Sequence, residues 1–155
     1  MANIKASGKE IIIDDDQLDK IKDFRWWALT KGGYAYSQLY KSGKKTTVML
    51  HRLLTNAPKG MDVDHINHDK LDNRLSNLRL CTRSQNNANM RPRVGYKGVR
   101  FTRNGWQAET KIDGKYIYIG RYKTAEEAAI AYNQKTSELF GEFAFNNIIP
   151  QTGVA

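Results

Sequence analysis

An α+β fold is predicted, with a β-rich N-terminal segment, a polar middle module, and a three-stranded antiparallel sheet packed on one helix. Three observations predict it. Period-two alternation broken by turn dipeptides marks strands at both ends of the chain. One apolar stripe of helical period, preceded by a capping threonine, stands near the C-terminus. Between them, residues 50–90 hold all three histidines and most of the asparagines.

Residues 1–50 read as strands and turns, a supporting sheet without chemistry of its own. Ile11–Ile13 is a β-branched run, and Trp26 and Trp27 supply core mass. Gly32-Gly33 turns the chain into an extended stretch bearing Tyr34, Tyr36 and Tyr40, and Ser42-Gly43-Lys44 turns it again into Thr46–Met49. That pattern is a hairpin. Residues 51–90 form the second module, and residues 91–95 a short basic linker punctuated by Pro92 and Gly95.

Residues 95–147 form a third unit, with strands near Gly98–Thr102, Trp106–Ile112 and Lys115–Tyr122. Asn104-Gly105 and Asp113-Gly114 separate them, and both dipeptides suit tight hairpins because they tolerate positive φ. Thr124 is the expected N-cap, Glu126 and Glu127 favour the helix dipole, and Ala128, Ala131, Tyr132 and Leu139 make the apolar stripe. Gly141 can end this helix, and residues 148–155 are an expected tail.

The chain has 155 residues, enough for one ordinary domain or two small ones. Its 25 Lys+Arg against 16 Asp+Glu give a net charge of +9, which favours a polyanionic partner. Mean hydropathy is −0.66 and the pI is near 9.7. No run of eighteen apolar residues is present, so no membrane association is expected. Three isoleucines followed by three aspartates do not make a signal peptide. Cys81 is the single cysteine, so an intramolecular disulfide and a Cys-rich zinc ribbon are ruled out. It lies in the apolar run Leu78–Thr82 and is read as a buried small residue. A single cysteine fits a reducing cytoplasm.

The informative string runs from Met61 to Leu80 and continues at Arg83–Asn89. Asp64-His65 sets a hard oxygen donor beside a base. Phosphodiester hydrolysis needs both: a divalent cation to neutralise developing charge, and a group of near-neutral pKa to take a proton from water. On a short strand, neighbouring side chains point to opposite faces, so one can hold metal while the other addresses water. Asn77 precedes the β-prone run Leu78–Thr82, and an antiparallel return there brings it beside His65. Asn86 lies on the helix expected from Arg83. Strand, loop, strand and helix make a cradle for one ion. His51, in an apolar context, is read as structural, and His68 as a loop residue near phosphate. A zinc site from His51, His65 and His68 fits no familiar spacing.

His51-Arg52-Leu53, Val63–Asn67, Asp72–Arg74, Asn77–Arg79 and Asn86 together resemble the HNH, or ββα-metal, nuclease motif of phage and intron-encoded homing endonucleases. The resemblance covers residues 50–89 and implies a DNA endonuclease. It implies Asp64 and Asn86 as ligands of one Mg²⁺ or Mn²⁺, His65 as general base and Asn77 as the residue orienting His65. No small-molecule cofactor is implied. Many family members have histidine at the position of Asn86, and Asn87 and Asn89 are alternative ligands.

Residues 95–147 resemble the DNA-binding domain of plant ethylene-responsive factors. The matching residues are Gly95–Arg100, Trp106–Glu109, Tyr118–Gly120, Thr124–Ala129, Ala131-Tyr132 and Leu139–Ala144. That family lays its sheet in the major groove with the helix behind. The resemblance implies that Lys97, Arg100, Trp106, Glu109, Lys111 and Tyr118 face double-stranded DNA, with phosphate contacts from Arg103 and Arg121. Trp106 is equally readable as core. Tyr116 and Tyr118 stand where the plant domains have an arginine and a tryptophan, so the plant target sequence does not carry over. The combined expectation is a homing-type enzyme, acting as monomer or homodimer and taking its site preference from the C-terminal unit. The rival expectation is a non-catalytic DNA-binding regulator with a relic HNH unit.

Overall fold

The computed structural model describes residues 1–29 and 33–150. Gly32 of the expected turn and residues 151–155 of the expected tail lie outside the described residues. The fold is α+β: among the described residues, ten strands form four small sheets, accompanied by four α-helices. The chain divides into two units, Met1–Thr82 and Arg83–Ala155. The division falls inside the segment that the sequence assigns to one module, 51–90.

In the first unit, β1 (Ala2–Ala6) and β2 (Lys9–Ile13) form an antiparallel hairpin. A 3-10 turn at Asp15–Gln17 leads into α1 (Leu18–Ile21). The strands β3 (Trp26–Ala28), β4 (Ala35–Lys41) and β5 (Lys44–Met49) make an antiparallel sheet in that order. Then come α2 (Leu50–Leu54) and the two-stranded sheet of β6 (Asp62–His65) and β7 (Leu78–Cys81). The β4–β5 hairpin follows the alternation of the sequence. The helices α1 and α2 were not expected, because four and five residues are too few to display a helical period.

The core gathers Ile11, Ile13, Ile21, Ala35, Leu50 and Leu54, none more than 3% exposed. Trp26 packs against this core, but Trp27 does not supply core mass. Adjacent strand residues face opposite sides, and Trp27 stacks instead on Tyr36, its partner in the ladder, at 6.0 Å. The β2 strand also braces the β6–β7 loop. Ile12 N donates to Leu71 O at 2.9 Å, and Asn73 N donates to Ile12 O at 2.8 Å. Leu75 N donates to the Asp14 carboxylate at 2.8 Å.

In the second unit, α3 (Arg83–Asn89) is followed by β8 (Val99–Thr102), β9 (Gly105–Ile112) and β10 (Lys115–Tyr122), an antiparallel sheet with β9 central. Asp113 and Gly114 both have positive φ, 47° and 83°, as the hairpin requires. The long helix α4 (Ala125–Phe140) starts at a capping box: Glu127 N donates to Thr124 Oγ1, and Thr124 N donates to the Glu127 carboxylate. Ala108, Ala128 and Tyr132 form the core between sheet and helix, joined by Val99, Trp106, Ile119 and Tyr122. Among the described residues, no helix is long and apolar enough to cross a membrane.

Candidate active site and sheet face

His65 ends β6 and is 4% exposed. Its ring lies 5.3 Å from that of His51 and 5.9 Å from that of Tyr34. Burial pushes its pKa below the ordinary histidine value; the Asn73 side chain and the carboxylates of Asp64, Asp69 and Asp72 oppose that shift. The result is a neutral imidazole at neutral pH, the form a general base must have.

His51 sits on α2 and is 8% exposed. Burial, then the charges of His65 and Arg52, push its pKa down to about 3. Its Nδ1 has no hydrogen-bond partner among the described residues. The neighbouring Arg52 pins the approach to β6, with Nη1 donating to Met61 O at 2.6 Å and Nη2 to Pro58 O at 3.0 Å.

Asp64 is paired with Arg79. The two are paired across the β6–β7 ladder, and Arg79 Nε and Nη2 donate to Asp64 Oδ2 at 2.9 and 2.8 Å. Both side chains are nearly buried, at 7% and 12% exposed. The sequence analysis missed Arg79. The antiparallel return was expected to bring Asn77 beside His65; the register pairs His65 with Leu78, the residue after Asn77, and Asp64 with Arg79.

The Asn77 carbonyl accepts from Ile66 N at 2.9 Å. Its side-chain oxygen accepts from Asn67 N at 3.0 Å, and its Nδ2 donates to Asn67 Oδ1 and Asp72 O. Its amide therefore fixes the loop after His65 rather than the imidazole itself. The amide beside the ring belongs to Asn73, which is fully buried and close enough to favour the ring's charged form. Asp72, 3% exposed, completes the loop by accepting from Arg74 Nε at 2.7 Å and Nη2 at 2.6 Å. Those bonds hold its carboxyl below the usual range. His68 occupies a left-handed turn position (φ 67°), and Cys81 is buried, as its apolar run predicts.

Asn86 belongs to α3 in the second unit and is half-buried; Asn87 is exposed and Asn89 buried. The sheet of that unit has one face on α4 and one open. Ala108 and Thr110 are buried, so Trp106, two residues earlier, shares the helix side. Gln107, Glu109 and Lys111 take the open side. Cross-strand pairing adds Arg100 and Arg121 opposite Gln107, Tyr118 opposite Glu109 and Tyr116 opposite Lys111. Glu109 is held there by Arg100 Nε at 3.3 Å and by Gln107 Nε2 at 3.0 Å. Arg103 is exposed in the β8–β9 turn.

Trp106, readable equally as core or DNA face, and Lys97, expected at DNA, are thus both placed away from the open face. Trp106 packs on the core side, and Lys97 Nζ donates to the Asn87 and Ala88 carbonyls of α3. Burial lowers the Lys97 pKa to about 8. Gln107 and Tyr116 are additions to the open face. Period-two spacing from Glu109 finds Gln107, and from Tyr118 finds Tyr116.

Residues 56–88 match the HNH endonuclease family. Across nearly the whole chain, an "uncharacterized HNH endonuclease" of Acanthamoeba polyphaga mimivirus is 36% identical, over 94% of this chain and 78% of that protein. The chain belongs to the HNH endonuclease family.

Protein 3.8 of Escherichia phage T7 is 30% identical to this HNH chain over 71% of its length and 95% of the phage protein. A further similarity joins this HNH protein to an AP2/ERF and B3 domain-containing transcription factor of Arabidopsis thaliana, 35% identical over 45% of this chain and 21% of the plant protein. No solved structure matches the chain.

Whether the HNH residues suit a metal is a question of donor chemistry. Among the described residues, no cluster of three or more His, Cys, Asp or Glu side chains could hold an ion. A carboxylate and a carboxamide are hard oxygen donors, however, and Mg²⁺ keeps several waters and binds through few protein ligands. Asp64 offers a carboxylate of this kind, and Asn86, in the second unit, a carboxamide.

Proposed function

We propose that this HNH endonuclease hydrolyses phosphodiester bonds in double-stranded DNA, using one Mg²⁺ or Mn²⁺ per active site. The observation that carries the reading is His65: a buried imidazole with a lowered pKa, next in sequence to the buried carboxylate of Asp64. Asp64 and Asn86 would hold the ion. When bound, the metal supplies charge neutralisation at the phosphate and at the leaving oxygen. His65 takes the proton from the attacking water. The loop fixed by Asn77, Asp72 and Arg74 keeps the segment after His65 in place, and the Asn73 side chain lies beside the ring.

Recognition is assigned to the open face of the second unit. Arg100, Glu109, Lys111 and Tyr118 would meet base edges, and Arg103 and Arg121 phosphates. A β-sheet fits the major groove, where arginine and lysine read guanine and carboxylates accept from cytosine. The similarity to plant transcription factors supports an ethylene-responsive-factor-like domain here. Site preference from that domain suits a homing-type enzyme. One active site per chain cuts one strand, so a double-strand break needs a dimer or two events.

One observation favours a second reading, a DNA-binding regulator with a relic nuclease unit: Arg79 already neutralises Asp64. A supercoiled-plasmid assay separates the two. Wild type with Mg²⁺ or Mn²⁺ should yield nicked circles, and His65→Ala should bind equally but lose cutting by about 10²-fold or more. Binding without cutting by either protein, across several metals and substrates, supports the regulator.

A further inference from the structure

The helix that carries Asn86 is tethered at both ends within the second unit. At its first turn, Ser84 Oγ donates to Asp113 Oδ1 at 2.7 Å and accepts from Asp113 N at 2.9 Å. Asp113 opens the β9–β10 turn between strands of the open sheet. At its last turn, Lys97 Nζ donates to Asn87 O at 2.8 Å and to Ala88 O at 2.5 Å. Phe145 N donates to the same Ala88 carbonyl at 3.0 Å.

Lys97 is gripped in turn by Asn147, which is 6% exposed. Lys97 N donates to Asn147 Oδ1 at 2.6 Å, and Asn147 Nδ2 donates to Lys97 O at 3.1 Å. Asn147 is tied to α4, its N donating to Asn133 Oδ1 at 2.8 Å and its O accepting from Asn133 Nδ2 at 2.9 Å. A continuous chain of hydrogen bonds thus runs from α4 through Asn147 and Lys97 to the end of α3.

The physics makes these tethers necessary. The last carbonyls of a helix have no donor within it, and a cation there is also favoured by the helix dipole. A helix of seven residues is too short to be stable alone. Its place depends on what holds its ends. With two N–H groups committed to carbonyls, Lys97 is spoken for inside the unit.

We propose that Lys97 and Asn147 are positioning residues for cleavage: they hold the α3 carbonyls, so that the helix carrying Asn86 moves as one body with the DNA-reading sheet. The proposal rests on the assignment of Asn86 as a metal ligand. It makes Lys97 a support for that ligand and not a DNA contact.

The test uses the full chain and compares wild type with Lys97→Met, Lys97→Arg and Asn147→Ala. Nicking rate is read against Mn²⁺ concentration, duplex affinity is read in EDTA, and amide exchange is read across α3. In Lys97→Met the half-saturating Mn²⁺ should rise about tenfold, the scale seen when a ligand's support is removed. Duplex affinity in EDTA should stay within about twofold, α3 amides should exchange faster, and Lys97→Arg should recover most of the metal response. Asn147→Ala should shift the same readings in the same direction, and it carries the test if Lys97→Met does not fold. A parallel fall in duplex affinity with unchanged metal dependence overturns the proposal and makes Lys97 a DNA contact. Unaltered metal dependence also overturns it. If wild type cuts nothing, the nuclease reading fails; the tether is then judged by exchange alone and is refuted by unchanged α3 protection.

Discussion

His65 serves as a base only while neutral, and its surroundings keep it so. Burial outweighs the opposing Asn73 amide and nearby carboxylates, leaving its pKa below 6.5. For a base, activity is lost as pH falls through the free-enzyme pKa. The acid limb of kcat/KM for plasmid nicking should therefore lie below pH 6.5, and a limb above that value contradicts the buried neutral base. Arg79 allows a second prediction at this scale. Removing it by Arg79→Met takes a charged partner from a nearly buried carboxylate, at a cost of about 3–5 kcal/mol when no cation replaces it. Urea unfolding in EDTA should show that loss, and saturating Mn²⁺ should restore more stability to the variant than it adds to wild type. Equal gains would argue against an ion at Asp64. The pair Asp64-His65 was legible in the sequence because its chemistry is local. Arg79 and Asn73 were not, since one depends on the β6–β7 register and the other on a folded loop.

Elements were legible where their signals are short-range and strong. The Asp113-Gly114 turn, the three strands of the second unit and the Thr124 capping box all follow from residues within a few positions of each other. Neither α1 nor α2 was, because tertiary contacts of Ile21, Leu50 and Leu54 with the core create them. Gly98 shows how tightly the second unit is built. Its φ is +71°, and a Cβ would stand 1.9 Å from Tyr132 Cε2 and 2.6 Å from Glu109 O. Gly98→Ala should therefore destabilise this unit by more than about 3 kcal/mol, combining left-handed strain with a backbone clash. Urea unfolding checks this; a change below about 1 kcal/mol would mean that β8 and α4 are not packed as described.

For the whole molecule, the net charge of +9 favours a polyanionic partner but does not give the arrangement of the parts. The sequence groups α3 with the histidines because motif residues lie close along the chain. Its tethers come from Lys97, Asp113 and Phe145, partners that no local pattern links to Asn86. The central claim is that Asp64 holds the ion beside which His65 acts. Anomalous diffraction from manganese-soaked crystals of the full chain on duplex DNA tests it most directly. A peak at coordination distance from the Asp64 carboxylate, lost in Asp64→Asn, is the predicted result. A peak only elsewhere, or none while DNA stays bound, would contradict the account.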